Sequence, residues 1–438
     1  MSAQNKIATQ TAAVDPRPAS AVSSMVGIAG LLGLGAWVIV ARMFEFSGPN
    51  AALCAFVACG APMVAWSLFV DKVHRNPTTG IDWDAPPRPF GETRDTSFIK
   101  LVGLWSVWAA IAMFYCLGRW YWEGDYLFAM KILGYGAVPL LVLSIPYVLW
   151  IDRRLKSPRD GAWHMGQFVI GRTREVDREQ VHDFLRSWTI KAFFLAFMIA
   201  GVPGNWQNTI TPSGESILLN IANLALWLVG AMFMIDTVFA TIGYMLTMKP
   251  LDSHIRSANP YAAGWVAALI CYPPFVLMNV GGPLHYQAGT ADWLYWLSDH
   301  PVLITLWAIA LVVLTMIYAW ATVVFGIRFS NLTHRGILTH GPYAWTKHPA
   351  YLSKNLFWWL ATLPFLAVTG DMNDAIRNSA LLGIVSGVYY WRARTEERHL
   401  MADPAYREYA EWMERHGPIP RLLRKLSGGS TPAAIPAE

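Results

Sequence analysis

The sequence predicts an all-α integral membrane protein with about ten transmembrane helices, and three observations carry that expectation. Of 438 residues, 54% are hydrophobic and 14% charged, against roughly 25% charge in a soluble domain. The apolar residues gather in runs that match the roughly 17–25 residues a helix needs to cross a bilayer, whereas barrel strands would alternate over about ten. The cations fall almost wholly on one side of the topology these runs define. The 22 Trp and 17 Tyr suit a chain with two headgroup interfaces to furnish.

Taken in order, residues 1–23 carry Lys6 and Arg17 but no apolar core and read as a flexible tail. Apolar runs follow at 24–43, 51–70, 98–118, 130–151, 189–206, 217–246, 262–280, 301–327, 352–369 and 375–391. The first has no small-residue cleavage site behind it and reads as an anchor. Pro203-Gly204 interrupts the fifth, and the sixth carries Asp236 in mid-span, where an acid usually faces protein or a water pocket. Residues 427–438, rich in Gly, Ser, Pro and Ala, read as a disordered tail.

The loops test this count. With a cytosolic amino terminus, thirty of the 34 Lys and Arg lie in inner segments, leaving Arg42, Arg119, Lys131 and Arg377 outside. That asymmetry supports ten spans with both termini inside. The formal charge of +5 is explained by topology and is no signature of nucleic-acid binding. Residues 71–97, rich in Pro and Gly, read as non-helical surface structure. REVDREQVHDFLRSW, over 174–188, reads as an amphipathic helix lying at the interface. Cys54, Cys59, Cys116 and Cys271 sit in apolar runs without metal-ligand spacing, so neither a disulfide framework nor a metal site is expected.

Chemistry concentrates near the carboxyl terminus. LTHGPYAWTKHPAYLSKN, over 338–355, links two apolar runs, and RARTEERHL, over 392–400, closes the last. Pro349 suits a first helical position. Tyr343, Trp345, His348 and Tyr351 bring aromatic faces and polar tips beside a helix start, a favourable place for a carboxylate. Arg392 and Glu396, four apart, share a helix face. Aromatic walls, an acid and a helix amino terminus suit an amphoteric nucleoside cofactor, held at the cytosolic ends of the last three helices.

HGPYAWTKHPAYL (340–352), RARTEE (392–397), PAYREYAEW (404–412) and PIPRL (418–422) together resemble the isoprenylcysteine carboxyl methyltransferase family. That family belongs to a wider set of membrane methyltransferases related to phospholipid methyltransferases. The likeness covers residues 328–425. It implies S-adenosyl-L-methionine held by Arg335, Gly336, Ile337, Leu338, Tyr343, His348, Pro349, Ala350, Tyr351 and Glu396. It also implies that Arg392, catalytic with Glu396, orients an acceptor carboxylate or phosphate. Lys347 replaces the family's arginine before His-Pro, and Ser353-Lys354-Asn355 stands where glycine is common. Asp403-Pro404 replaces Phe-Gly ahead of Tyr406 and Tyr409. These departures leave the cofactor reading intact and the acceptor open.

The sequence therefore divides into the tail 1–23, a seven-helix region 24–300 of unknown role, a methyltransferase-like region 301–426 and the tail 427–438. The expected activity is methyl transfer to a lipid or lipophilic acceptor (a carboxylate, amine or thiol) at the cytosolic face of a bacterial inner membrane. A ten-span NADPH-dependent reductase of the sterol-reductase type is one alternative. It would want a K-Y-G-x-x-W element and an R-D-E-x-R-C-like tail that this chain lacks. A transporter built around Asp236 is the other, but no inverted halves are visible.

Overall fold

Among the described residues, side-chain caps mark where seven of the fifteen helices begin. In the computed structural model, which describes residues 17–426, Ser23 accepts from the Met25 amide at the head of α1 (Ser24–Met43). Next come α2 (Pro49–Ala65), whose last turn continues to Val70, then α3 (Phe90–Leu117) and α4 (Tyr126–Asp152). The short α5 (Gly161–Val169) precedes α6 (Arg178–Ile210), capped by Asp177. A single turn, α7 (Gly214–Leu218), leads to α8 (Ile221–Met245), capped by Asn220. Strand β1 (Ser257–Ala258) and α9 (Ala262–Leu269) come before α10 (Trp293–Leu297) and α11 (Pro301–Val323). The chain closes with β2 (Thr333–His334), α12 (Pro349–Thr362), α13 (Met372–Leu400), α14 (Pro404–His416) and α15 (Pro418–Leu426). Pro stands at the start of α2, α11, α12 and α14, where a missing N–H costs nothing.

The protein is helical, and among the described residues seven helices are long and apolar enough to cross a membrane: α1, α2 with its extension, α3, α4, α6, α8 and α11. Close helix contact follows from small residues. A Cβ on Gly33 would lie 2.0 Å from the Ala58 carbonyl oxygen, so α1 and α2 touch backbone to backbone there. Around that seam Leu34, Met63, Trp206, Phe239 and Val324 form the largest buried cluster.

Several sequence expectations change. The run 262–280 is not one helix: α9 stops at Leu269, because Pro273-Pro274 removes two successive amide donors. The chain beyond it satisfies itself by turns, with the Leu277 N–H donating to Ile270 at 3.1 Å and that of Leu284 to Leu277 at 2.9 Å. This segment runs the height of α13: Tyr272 lies beside Arg392, and the Ala288 carbonyl accepts from Asn378 at 2.8 Å. Fourteen residues of helix separate Asn378 from Arg392, about 21 Å. The side facing α13 is packed, with Tyr286 buried, while Phe275, Val280 and Gly281 are exposed.

Residues 174–188 are not a separate surface helix, since α6 runs unbroken from Arg178 through Pro203 to Ile210. Residues 90–97 are helical, the first two turns of α3. Of the expected amino-terminal tail, residues 17–23 are pinned rather than loose. The Ala21 amide donates to Ile337 at 2.8 Å, Thr339 donates to Pro18 at 2.9 Å, and the Arg17 guanidinium lies 5.1 Å from the Trp412 ring centre. The remaining tail expectations, 1–16 and 427–438, lie outside the described residues.

The cation-rich loops form a belt of buried ion pairs. Lys100 lies 2.6 Å from Asp152 and 2.9 Å from Asp160. Asp252 accepts from Arg328 at 2.9 Å, from Asn76 at 3.0 Å and from Thr78 at 2.8 Å. The two-residue ladder pairing Ser257 with His334 and Ala258 with Thr333 fastens this belt to the carboxyl-terminal segment. The candidate site rests on that frame.

Candidate functional site

Gly336 has φ +109°, and a Cβ there would lie 2.5 Å from Ala21 and 2.8 Å from an Arg328 nitrogen. Glycine is the residue that reaches this conformation without strain. The turn it permits aims Ile337 and Leu338 inward. Below the turn opens a cavity of about 180 Å³, many times the space one water needs. Its walls come from the carboxyl-terminal end of α11, the loop from Phe325 to Leu338, the head of α12, the tail of α13, Tyr406 and Tyr409 of α14, and Tyr272. Tyr343, His348, Tyr351, Arg392 and Glu396, drawn from two separate stretches of chain, all line it.

Adjacent glutamates on α13 do different work. Glu396 accepts the Tyr351 hydroxyl and lies 3.3 Å from Arg392 Nε. Glu397 faces the rim, where one carboxylate gathers Lys347 at 3.0 Å, His348 at 2.9 Å and Arg394 at 2.8 Å. Burial alone would raise the Glu397 pKa; the His348 and Lys347 hydrogen bonds and charges outweigh it and lower the value to about 2. Near the same rim, burial, then the neighbouring His334 and Arg186, hold His399 down at about 4. It shares a hydrogen bond with Ser257 at 2.9 Å.

Arg392 is almost fully buried and heavily committed. Its Nη2 donates to Asn331 at 2.6 Å and its Nη1 to Tyr272 at 3.5 Å. Its guanidinium carbon lies 5.2 Å from the Tyr351 ring centre and 5.5 Å from that of Tyr272. Lying between two rings and bound at all three nitrogens, it fixes Glu396 in place. Asn331 answers it with Oδ1, and the Asn331 Nδ2 has no hydrogen-bond partner within the protein. A buried amide left with a spare donor costs about 1–3 kcal/mol, so a ligand acceptor here would be favoured.

The other expected residues divide. His348 stacks on Tyr351 with ring centres 5.8 Å apart and an 11° angle. Tyr343 packs edge-on to Phe325 at 5.6 Å, and its carbonyl accepts from Tyr409 at 2.7 Å. Ala350 lines the cavity, but Pro349 does not; Pro349 sets the start of α12. Arg335 reaches the wall with its guanidinium spent on four backbone carbonyls, those of Ser253, Gly243, Phe329 and Ile327. Its role is to brace the loop. Trp345 stands outside the site, edge-on to Trp320 at 5.4 Å.

Sequence reasoning missed Asn331, Tyr272, Tyr318, Tyr389 and His399 among the lining residues. Tyr272 is the largest omission, because it brings the 24–300 region into the site, and no local pattern marks it. Asp236 is satisfied within the protein, by the Tyr318 hydroxyl at 2.7 Å and by Thr322. Among the described residues no cluster of His, Cys, Asp and Glu could hold a metal.

Comparison with protein-family models, with curated proteins and with solved structures finds no match for this chain.

Proposed function

We propose that this chain is an integral-membrane, S-adenosylmethionine-dependent methyltransferase that acts on a lipophilic or membrane-associated acceptor. The observation that carries the reading is that Tyr343, His348, Tyr351, Arg392 and Glu396 share one hollow at the ends of the membrane helices. The donor set fits an amphoteric nucleoside. Tyr351, His348 and Tyr343 offer faces for a ring, and Glu396 offers an acceptor for hydroxyl or ammonium groups. The spare Asn331 N–H and the uncapped first turn of α12 offer donors for a carboxylate.

Bound S-adenosylmethionine would supply a methyl group on a sulfonium, already activated toward a nucleophile. The protein's task is then placement and exclusion of water. Arg392 and Tyr351 both donate to Oε1 of Glu396 and so hold that carboxylate in place, and α14 closes the roof with Tyr406 and Tyr409. An acceptor would need only to be held in line with that methyl group, an amine or thiol giving up its proton to solvent, so the residues present would supply placement rather than a catalytic dyad.

Ten crossings belong to the same proposal, with the broken segment after α9 and the pair α12–α13 supplying the last ones beside the seven long helices. Both termini and the cavity mouth then face the cytoplasm of a bacterial inner membrane, as the cation asymmetry supports. Single-cysteine labelling at residues 372 and 398 from either side tests this orientation.

One observation favours a second reading. Lys347, Lys354, Arg392, Arg328 and Arg335 all line the cavity against one lining carboxylate, Glu396, and such an excess of cations also suits the phosphates of NADPH. Thermal shift of the detergent-solubilised protein with S-adenosylhomocysteine and with NADPH, run side by side, decides. Methyl transfer expects stabilisation by the nucleoside alone, and stabilisation by NADPH alone turns the assignment to a reductase.

A further inference from the structure

The other cations of the cavity have protein partners: Arg328 has Asp252, Arg335 has carbonyls, Lys347 has Glu397 and Arg392 has Glu396. Lys354 is different. It lies three residues beyond Tyr351, on the face of α12 that lines the cavity, and about 7.5 Å deeper along the axis than Pro349. Its ammonium stands 5.2 Å from the Tyr318 ring centre and 5.3 Å from that of Trp358. Among the described residues it makes no hydrogen bond and has no carboxylate within 4.0 Å. The nearest acid, Asp236, has its two oxygens taken by the Tyr318 and Thr322 hydroxyls. Lys354 is half-buried, and the two aromatic faces offset part of what its ammonium loses on leaving water.

We propose that Lys354 determines acceptor specificity by receiving an anionic headgroup, a carboxylate or a phosphate monoester, on an amphiphilic acceptor. The inference rests on the methyltransferase reading of the same cavity. It moves the acceptor's charge partner from Arg392, whose three nitrogens are engaged, to a residue one and a half turns inside α12. Methyl transfer itself is unchanged, and Lys354 sets which molecule sits in line.

Native mass spectrometry of the full chain in neutral detergent tests this, with oleate and lysophosphatidic acid as anionic probes and monoolein and oleylamine as neutral and cationic ones. The wild-type protein is expected to retain at least one anion about tenfold more strongly than monoolein, a difference of about 1.4 kcal/mol. The preferred anion identifies carboxylate or phosphate. Lys354→Met should remove the preference and Lys354→Arg should keep it. Equal retention of anionic and neutral probes by the wild type overturns the proposal, as does a preference that survives in Lys354→Met. The unfolding midpoint in detergent reports folding of the variants. Absence of S-adenosylhomocysteine binding by the wild type beside an intact anion preference sinks the methyltransferase reading alone, and the reverse sinks the role of Lys354 alone.

Discussion

His348 Nε2 lies 2.9 Å from Oε1 of Glu397, and not against Glu396, its neighbour on α13. That choice separates the two carboxylates. Glu397 holds the rim together through three cations, and Glu396 is left to the cavity with Tyr351 and Arg392.

Glu397→Gln should cost stability more than it costs binding. Removing the acid leaves Lys347, His348 and Arg394 facing one another, and breaking a largely buried ion pair costs about 3 kcal/mol. Denaturant unfolding in detergent measures this. An unfolding midpoint equal to that of the wild type would show that the rim does not depend on Glu397.

For Glu396→Gln the balance reverses. The substitution preserves shape and removes the charge that Tyr351 and Arg392 orient, so S-adenosylhomocysteine affinity should fall about tenfold or more with little change in melting. Titration calorimetry reads the affinity. Arg392→Lys should lose a similar amount, because an ammonium cannot reach Glu396, Asn331 and Tyr272 at once.

Acid should loosen the site in two stages. His399 titrates near 4 in the folded chain against 6.5 ordinarily, because burial and then His334 and Arg186 disfavour its charged form. Its contribution is complete above pH 6.5 and declines as pH falls from 6.5 toward 4. Glu397 titrates near 2 against 4.5, so its contribution is present above pH 4.5 and declines as pH falls from 4.5 toward 2. Melting temperature followed against pH should show both slopes. His399→Gln should flatten the upper one and Glu397→Gln the lower.

Arg335→Lys should destabilise without touching the ligand. The guanidinium joins four carbonyls that a lysine cannot span, and the loss should be about 2–4 kcal/mol. Nucleoside affinity, measured well below the melting point, should stay within about twofold. A selective loss of affinity would make Arg335 a ligand contact after all.

Asp236→Asn separates enzyme from carrier. With its carboxylate held by Tyr318 and Thr322, Asp236 has a structural role, and the variant should keep nucleoside affinity with only a modest loss of stability. Abolished substrate movement in reconstituted vesicles, beside unchanged nucleoside binding, would point to transport instead.

Composition and charge placement were enough to read a helical membrane protein with a polar cluster at one end, because hydropathy and charge are properties of each segment alone. The motifs at 338–355 and 392–400, with the family resemblance, grouped Tyr343, His348, Tyr351, Arg392 and Glu396, and all five line one cavity. Composition and charge placement were not enough for the segment after α9, whose apolar residues look like a span until Pro273-Pro274 and Gly281-Gly282 bend it. Neither could they show that Arg335 spends itself on carbonyls, or that Asn331 and Tyr272 complete the pocket from distant stretches of chain.

The division between Glu396 and Glu397 shows where the boundary lies. Successive helical residues point about 100° apart, so one of the pair had to face away from the other. Which one met the cavity depended on how α13 is rotated against α12 and the loop before it. That rotation is set by packing among segments far apart in the chain, and only the tertiary structure decided it.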